Sequence, residues 1–231
     1  GGASTGVGRA AGSVTLNSGT TLTTNTITAT GSAAAAASAL AGGAGGVVGL
    51  TGTTQINLGG NIDTSGGLGD PAPGTANQGA GGNVTFNNPV VLTGNRAITT
   101  GASAGNITFA AAATINGTTT HTETLALTAG TGNIDFNGAV GGTTVLGTVT
   151  INQAALVDVD ANFTVAALTA NGGNITTFDS TGFTINTTGA ANAAGGAVAI
   201  TTTGALSAGP ITTTGGASTG VGRAAGSVTL N

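Results

Sequence analysis

Short runs of alternating apolar and polar residues recur along this chain, and glycine punctuates them. One element reads glycine, any residue, Val or Ile, any residue, then Leu, Phe or Ile. It appears as GSVTL at Gly12, GVVGL at Gly46, GNVTF at Gly82, GNITF at Gly105, GNIDF at Gly132, GAVAI at Gly196 and GSVTL at Gly226. GNITTF at Gly173 is the same element with one residue inserted. A second element runs from an apolar residue through Thr or Ala to glycine: ITATG at Ile27, IDTSG at Ile62, ITTG at Ile98, LTAG at Leu127, LTANG at Leu168, INTTG at Ile185 and ITTTG at Ile211. Alternation every second residue is a strand signal, and Gly and Asn at the ends are turn signals. Helical spacing is absent, and this much Gly and Thr weakens any helix.

Pairing the two elements gives units of about 20 residues, the length at which short strands without helices stack as a solenoid. The shortest unit runs from Gly173 to Gly189, and the stretch Gly132 to Gly172 fits two units with no spacer. A longer period encloses them. Gly1 to Asn17 and Gly215 to Asn231 carry the same letters, GGASTGVGRAAGSVTLN, and start 214 residues apart. The fold expected is therefore all-β: a parallel β-helix (β-solenoid) with about 20 residues per coil and eight coils per 214-residue tandem repeat. Residues 1–231 are expected to form a single continuous segment, with 1–214 as one tandem period and 215–231 as the start of the next identical one.

Alternation sends every second side chain inward. Val84 with Phe86, Ile107 with Phe109, and Ile134 with Phe136 are the expected structural core ladder of three consecutive coils. Asn83, Asn106 and Asn133 fall at one corner of the same coils, where amides stacked at strand spacing can bond along the axis. Asn83 and Asn106 also begin N-x-T sequons, here a by-product of Asn turns beside Thr strands. The spacers all fall between a second element and the next glycine, so they are expected to emerge along one edge as a flange of small residues. Thr28, Thr30, Thr212 and Thr214 point outward from their elements. Across a period boundary they would stack into a small Thr grid, a possible binding face for ice or crystalline polysaccharide.

Composition narrows the chemistry. The 231 residues include no Cys, three Lys plus Arg, seven Asp plus Glu and one His. Three arginines cannot line a phosphate-tracking groove, so nucleic acid is excluded as a partner. The run from Ser32 to Leu50 is mostly Ala and Gly, which carry little transfer free energy, so no membrane span is expected. A short helical turn over Ala33 to Ala37 is the most that run offers. His121 has neither a second His nor a Cys to complete a transition-metal site. Glu123 lies two residues from it, but no nucleophile motif accompanies the pair. Asp158 and Asp160 share a strand face and read as a solvated pair, too few oxygens for calcium. Asp63, Asp70, Asp135 and Asp179 read as scattered over different coils. No cofactor, no metal and no catalytic residue is assigned, and an enzyme is not expected.

GNITFAAAATINGTTTHTETLALTAG and GNIDFNGAVGGTTVLGTVTIN resemble coils of the very large bacterial exoproteins of the filamentous-haemagglutinin type. The resemblance covers most of the chain and rests on degenerate motifs. It implies a right-handed parallel β-helix, secretion across an outer membrane, and roles in adhesion, aggregation or surface fibres. None of its motifs marks a binding residue to carry over. The expectation is a structural or adhesive rod segment at the bacterial cell surface. Its partners would be copies of itself, along or beside the rod, and another cell surface or a glycan.

Overall fold

The computed structural model describes residues 2, 5–36, 39–70, 77–170 and 174–231. Gly173, which opens the GNITTF unit, Asn171, which interrupts the Thr face, and the end of the Ala33–Ala37 run lie outside the described residues. Every regular element among the described residues is a strand. The first nine are β1 (Val14–Ser18), β2 (Thr21–Thr24), β3 (Ile27–Thr28), β4 (Val48–Gly52), β5 (Gln55–Leu58), β6 (Ile62–Asp63), β7 (Val84–Phe86), β8 (Val90–Leu92) and β9 (Arg96–Thr99). They are followed by β10 (Ile107–Phe109), β11 (Ile115–Gly117), β12 (Leu125–Thr128), β13 (Asn133–Phe136), β14 (Leu146–Val159), β15 (Phe163–Ala170) and β16 (Ile175–Asp179). The chain ends with β17 (Ile185–Asn186), β18 (Val198–Ile200), β19 (Leu206–Ser207), β20 (Ile211–Thr212) and β21 (Val228–Leu230).

Pairing is parallel, and through the first half each strand bonds to the strands three before and three after it. Column A runs β1, β4, β7, β10, β13. Column B runs β2, β5, β8, β11. Column C runs β3, β6, β9, β12. The order A, B, C repeats along the chain, so the strands form a curled, mostly parallel sheet around one interior. β14 crosses a corner without a loop. Its first half extends column C and its second half, from Leu156, extends column A. β15 likewise serves column B at Phe163 and column C at Leu168. After that, β16 and β19 extend column A, β17 and β20 column B, and β18 and β21 column C.

The interior is apolar, with five phenylalanines among its largest fully buried side chains. Phe86, Phe109 and Phe136 lie in one column with ring centroids 4.8 and 5.4 Å apart and near-parallel planes. Val84, Ile107 and Ile134 share a second, fully buried row beside them. The aromatic series goes one ring further than alternation suggested. Val159 follows Phe136 in column A, and Phe163 leans in from column B, edge-on to Phe136 at 5.2 Å. A smaller side chain in one column is thus filled by a larger one from the next. Stacked and edge-on rings gain about 0.5–1.5 kcal/mol each beyond area burial. One buried hydroxyl, Thr24 Oγ1, has no hydrogen-bond partner among the described residues.

The sequence units and the strand columns part company near the C-terminal end. In the early units the first element lies in column A and the second in column C. The short GNITTF unit puts its first element in column A as β16, but its second, INTTG, in column B as β17. It has room for two strands instead of three. GAVAI therefore lands in column C, and so does the second GSVTL. Consequently the spacers do not emerge along one edge. Those after β3, β6, β9 and β12 leave the corner between columns C and A. Those after β17 and β20 leave the corner between columns B and C.

Candidate functional site: the loop flange and its surroundings

Each loop begins and ends at a clamp. The last inward residue of the second element is Thr or Ala, and its carbonyl accepts the N–H of the glycine opening the next first element. The pairs are Ala29 with Gly46 at 2.7 Å, Thr64 with Gly82 at 2.8 Å, Ala129 with Gly132 at 2.8 Å, Thr187 with Gly196 at 2.8 Å and Thr213 with Gly226 at 2.7 Å. Where the residue is Thr, its hydroxyl donates to a glycine carbonyl: Thr64 to Gly82 at 2.6 Å, Thr100 to Gly105 at 2.9 Å, Thr187 to Gly196 at 2.7 Å and Thr213 to Gly226 at 3.0 Å. Thr64, Thr100 and Thr187 are fully buried, so the hydroxyl would be costly without this partner. The clamp lets any length of chain leave and return without disturbing the strands, and it works at either corner. Sequence reasoning passed over it, although the Thr before the closing residues of I-x-T-x-G was its signal.

Beyond the clamp, the loop arms are tied together by their backbones. Arms bond across a loop, Gly43 N–H to Ser32 C=O at 2.9 Å and Gly79 N–H to Gly67 C=O at 2.9 Å. They also bond from loop to loop: Ser32 to Arg9, Gly67 to Gly43, Gly8 to Ala41, Gly42 to Asn77 and Ala34 to Leu68. Such approach requires glycine. A Cβ on Gly43 would strike the Arg9 carbonyl, and one on Gly67 the Ser32 carbonyl. The flange is therefore a packed, hydrogen-bonded body whose order comes from missing side chains. Val7 and Leu68 are exposed on it, at 56% and 50%. The second set of loops repeats the scheme, with Gly216 N–H on Ala193 and Gly195 N–H on Ala224.

Where the arms shorten to Ala102–Ala104 and then Thr131, a groove of about 470 Å³ opens beside the flange. Gln78, Ser103, Thr131 and Gln153 supply its polar lining. Thr131 and Gln153 also line a smaller groove of about 170 Å³ that leads to Asn174 and Thr176. The lining is neutral and carries amides, hydroxyls and alanine methyls.

The acidic residues are less scattered than the sequence suggested. Asp135, Asp158 and Asp179 are register partners on three successive rungs of column A. Each follows an inward residue of the same row, Ile134, Val157 or Phe178, and aligning GNIDF, LVDV and TFDS would have revealed it. Thr108, one rung before, donates to Asp135 at 3.1 Å. Desolvation, then the charges of Asp160, Asp179 and Asp135, raise the Asp158 pKa above its ordinary value. Hydrogen bonds from Thr181 lower that of Asp179. No group of three or more His, Asp or Glu placed to hold a metal ion occurs among the described residues.

His121 and Glu123 lie on one turn but face apart. Both Glu123 oxygens are taken, by the Thr118 hydroxyl and by the Thr119 N–H at 3.1 Å. Burial raises the Glu123 pKa, but these hydrogen bonds outweigh it and leave the carboxyl below its usual range. The carboxylate is thus a turn cap. His121 is half-buried: its Nδ1 meets the Thr120 hydroxyl at 3.1 Å and its Nε2 the Thr188 carbonyl at 3.4 Å. It adopts φ 61°, with its own N–H on Val145.

Asn83, Asn106 and Asn133 do align, but through a different bond. The side-chain oxygen of each accepts the backbone N–H of the next, Asn106 on Asn83 and Asn133 on Asn106, both at 2.9 Å. The corner N–H has no strand partner, so it outcompetes a neighbouring amide. Asn61 and Asn95 do the same at the corner between columns B and C, for Ala97 and Thr124. The outward threonines do not meet within this chain. Thr28 lies in column C on the first rung beside Asp63, and Thr212 in column B on the last beside Asn186. Thr30 follows β3, whereas Thr214 bonds Thr188 at 3.0 Å.

No family model, curated protein or solved structure matches the chain. No helix among the described residues is long and apolar enough to cross a membrane.

Proposed function

We propose that this chain is a segment of a β-solenoid rod with about 20 residues per coil, part of a long tandem array that works mechanically in an extracellular bacterial fibre or adhesin. One observation carries it. Parallel pairing in three columns persists from β1 to β21, and both end rungs remain open edges. Such an edge is a template for another strand, and a molecule built this way extends by adding rungs. The resemblance to filamentous-haemagglutinin-type exoproteins points the same way. The flange is the surface for lateral contact with copies of the same rod. Its packed backbone offers a stiff face with exposed Val7 and Leu68 and few other side chains to order on contact.

Small-angle scattering and electron microscopy of arrays of increasing length test this. A rod lengthens by about 4.8 Å per rung at constant cross-section. Particles that grow in all three dimensions overturn it. Lateral association, read by sedimentation, should weaken when Val7 and Leu68 are both changed to Ser; unchanged association removes the flange from the proposal.

A further inference from the structure

The two copies of GSVTL are identical in sequence and differ in place. Val14–Leu16 lies in column A and pairs with Val48–Leu50 of the following rung. Val228–Leu230 lies in column C and pairs with Val198–Ile200 of the preceding rung. We infer that the surface at β21 is the docking edge for a second copy of this period, entered one column out of phase, so that column C of one period continues as column A of the next. This rests on the tandem-array proposal above.

Backbone chemistry allows one segment to serve both roles. In the first copy the N–H groups of Gly8, Ala11 and Val14 donate forward, to Ala41, Ala44 and Val47. Their counterparts in the second copy are Gly222, Ala225 and Val228. That copy is held from behind through different groups, the carbonyls of Ala217, Ala224 and Ser227, which accept from Asn192, Gly195 and Val198. Neither set consumes a group the other needs. Side chains agree. Val228 and Leu230 are 47% and 42% exposed here, and a following rung like β4 would cover them as β4 covers Val14 and Leu16.

The slip has a cause and a consequence. Its cause is the GNITTF unit, which supplies strands to columns A and B and then leaves at a clamp, so its third strand is missing. Its consequence is geometric. β1 is the first rung of column A and β21 the eighth of column C, so a period advances about seven and two-thirds turns rather than eight. All loops of one flange keep a common corner, including those at Ala190–Gly195 and Gly216–Ala225. The next flange leaves from a different corner, a third of a turn away. Three periods restore the first direction. A lateral partner on one side of the rod meets a flange once in three periods, and an array presents flanges on three sides. The slip also sets the next period's equivalent of Thr28 over Thr212 in column B.

The test uses the chain extended after Asn231 by further copies of residues 18–231, so that β21 becomes internal. Cysteine pairs carry nitroxide labels, whose spectra broaden only when labels stack on adjacent rungs. Thr108→Cys with Asp135→Cys reports the stack itself, since these residues are register partners in column A. Ala199→Cys with Thr229→Cys reports the slip, and Ser207→Cys with Thr229→Cys reports the in-phase alternative. Expected are coupled spectra for the first two pairs and an uncoupled spectrum for the third. Coupling of the third pair, or of neither pair containing Thr229, overturns the slip and leaves the rod standing. An uncoupled Thr108 and Asp135 pair overturns the rod reading itself. In images of the three-period chain, flanges should point in three directions; a single line of flanges also overturns the slip.

Discussion

The interior and the flange of this molecule are ordered by the same device, repetition along one axis, and by opposite chemistry. Inside, Phe86, Phe109 and Phe136 fill the space between rungs with side chains. In the flange, Gly31, Gly42, Gly43 and Gly67 bring backbones so close that no side chain fits. One region gains stability from burying apolar area, and the other from pairing peptide groups with one another across and between loops. The difference shows what such a repeat tolerates. The interior should resist loss of atoms, and the flange should resist their addition.

Three substitutions sharpen that contrast. Phe109→Ala opens a cavity between two rings and should cost about 3–5 kcal/mol in denaturant unfolding. An effect below about 1 kcal/mol would mean the rings do not share a column. Gly43→Ala adds one methyl where the Arg9 carbonyl leaves no room for it and should cost about 1–3 kcal/mol. Hydrogen exchange would show where: amides of Gly67 and Ser32 should lose protection while those of β10 keep theirs. Thr64→Val removes the clamp hydroxyl at constant volume and leaves the Gly82 carbonyl one bond short. A loss of about 1–2 kcal/mol is expected, read by chemical denaturation. Gly46 and Gly132 close against Ala29 and Ala129, which have no hydroxyl, so those loops already close through the backbone bond alone.

The smallest effect belongs to the acidic column. Asp158 is held above its ordinary pKa, so the folded protein keeps this proton at a pH where the unfolded chain has released it. Its contribution is full below the unfolded pKa and falls as pH rises through the native one. Asp158→Asn removes that fall and should stabilise the protein at neutral pH by less than about 1 kcal/mol. Glu123 and Asp179 have lowered pKa values and the opposite slope: their stabilisation is present at neutral pH and lost as acid protonates them. Thermal melts across pH 3 to 7 on the parent and the Asn variant separate the two signs.

How far this architecture could be read in advance depended on which period carried the information. Inward alternation is a property of two residues at a time, so the Val and Phe rows of GNVTF, GNITF and GNIDF were legible, and the rings stack. The columns depend on counting strands. GNITTF…INTTG has the letters at both ends of a full unit and lacks the strand between, so matching its ends concealed the slip and placed all loops on one edge. The acidic column needed register between rungs of different length. Phe163 was hidden for a related reason: it fills a space in column A from column B, and no pattern within one element records that. The Asn corners were legible as residues and not as bonds, because the choice between a neighbouring amide and an orphan N–H is made in three dimensions.

Everything above stands on rungs that stack in register around the phenylalanines. The most direct measurement is the set of ring-to-ring nuclear Overhauser contacts in the protein labelled only at phenylalanine. Phe109 should contact both Phe86 and Phe136, Phe136 should contact Phe163, and Phe86 and Phe136 should show none. Rings without these neighbours, or rings open to water, would contradict the stack.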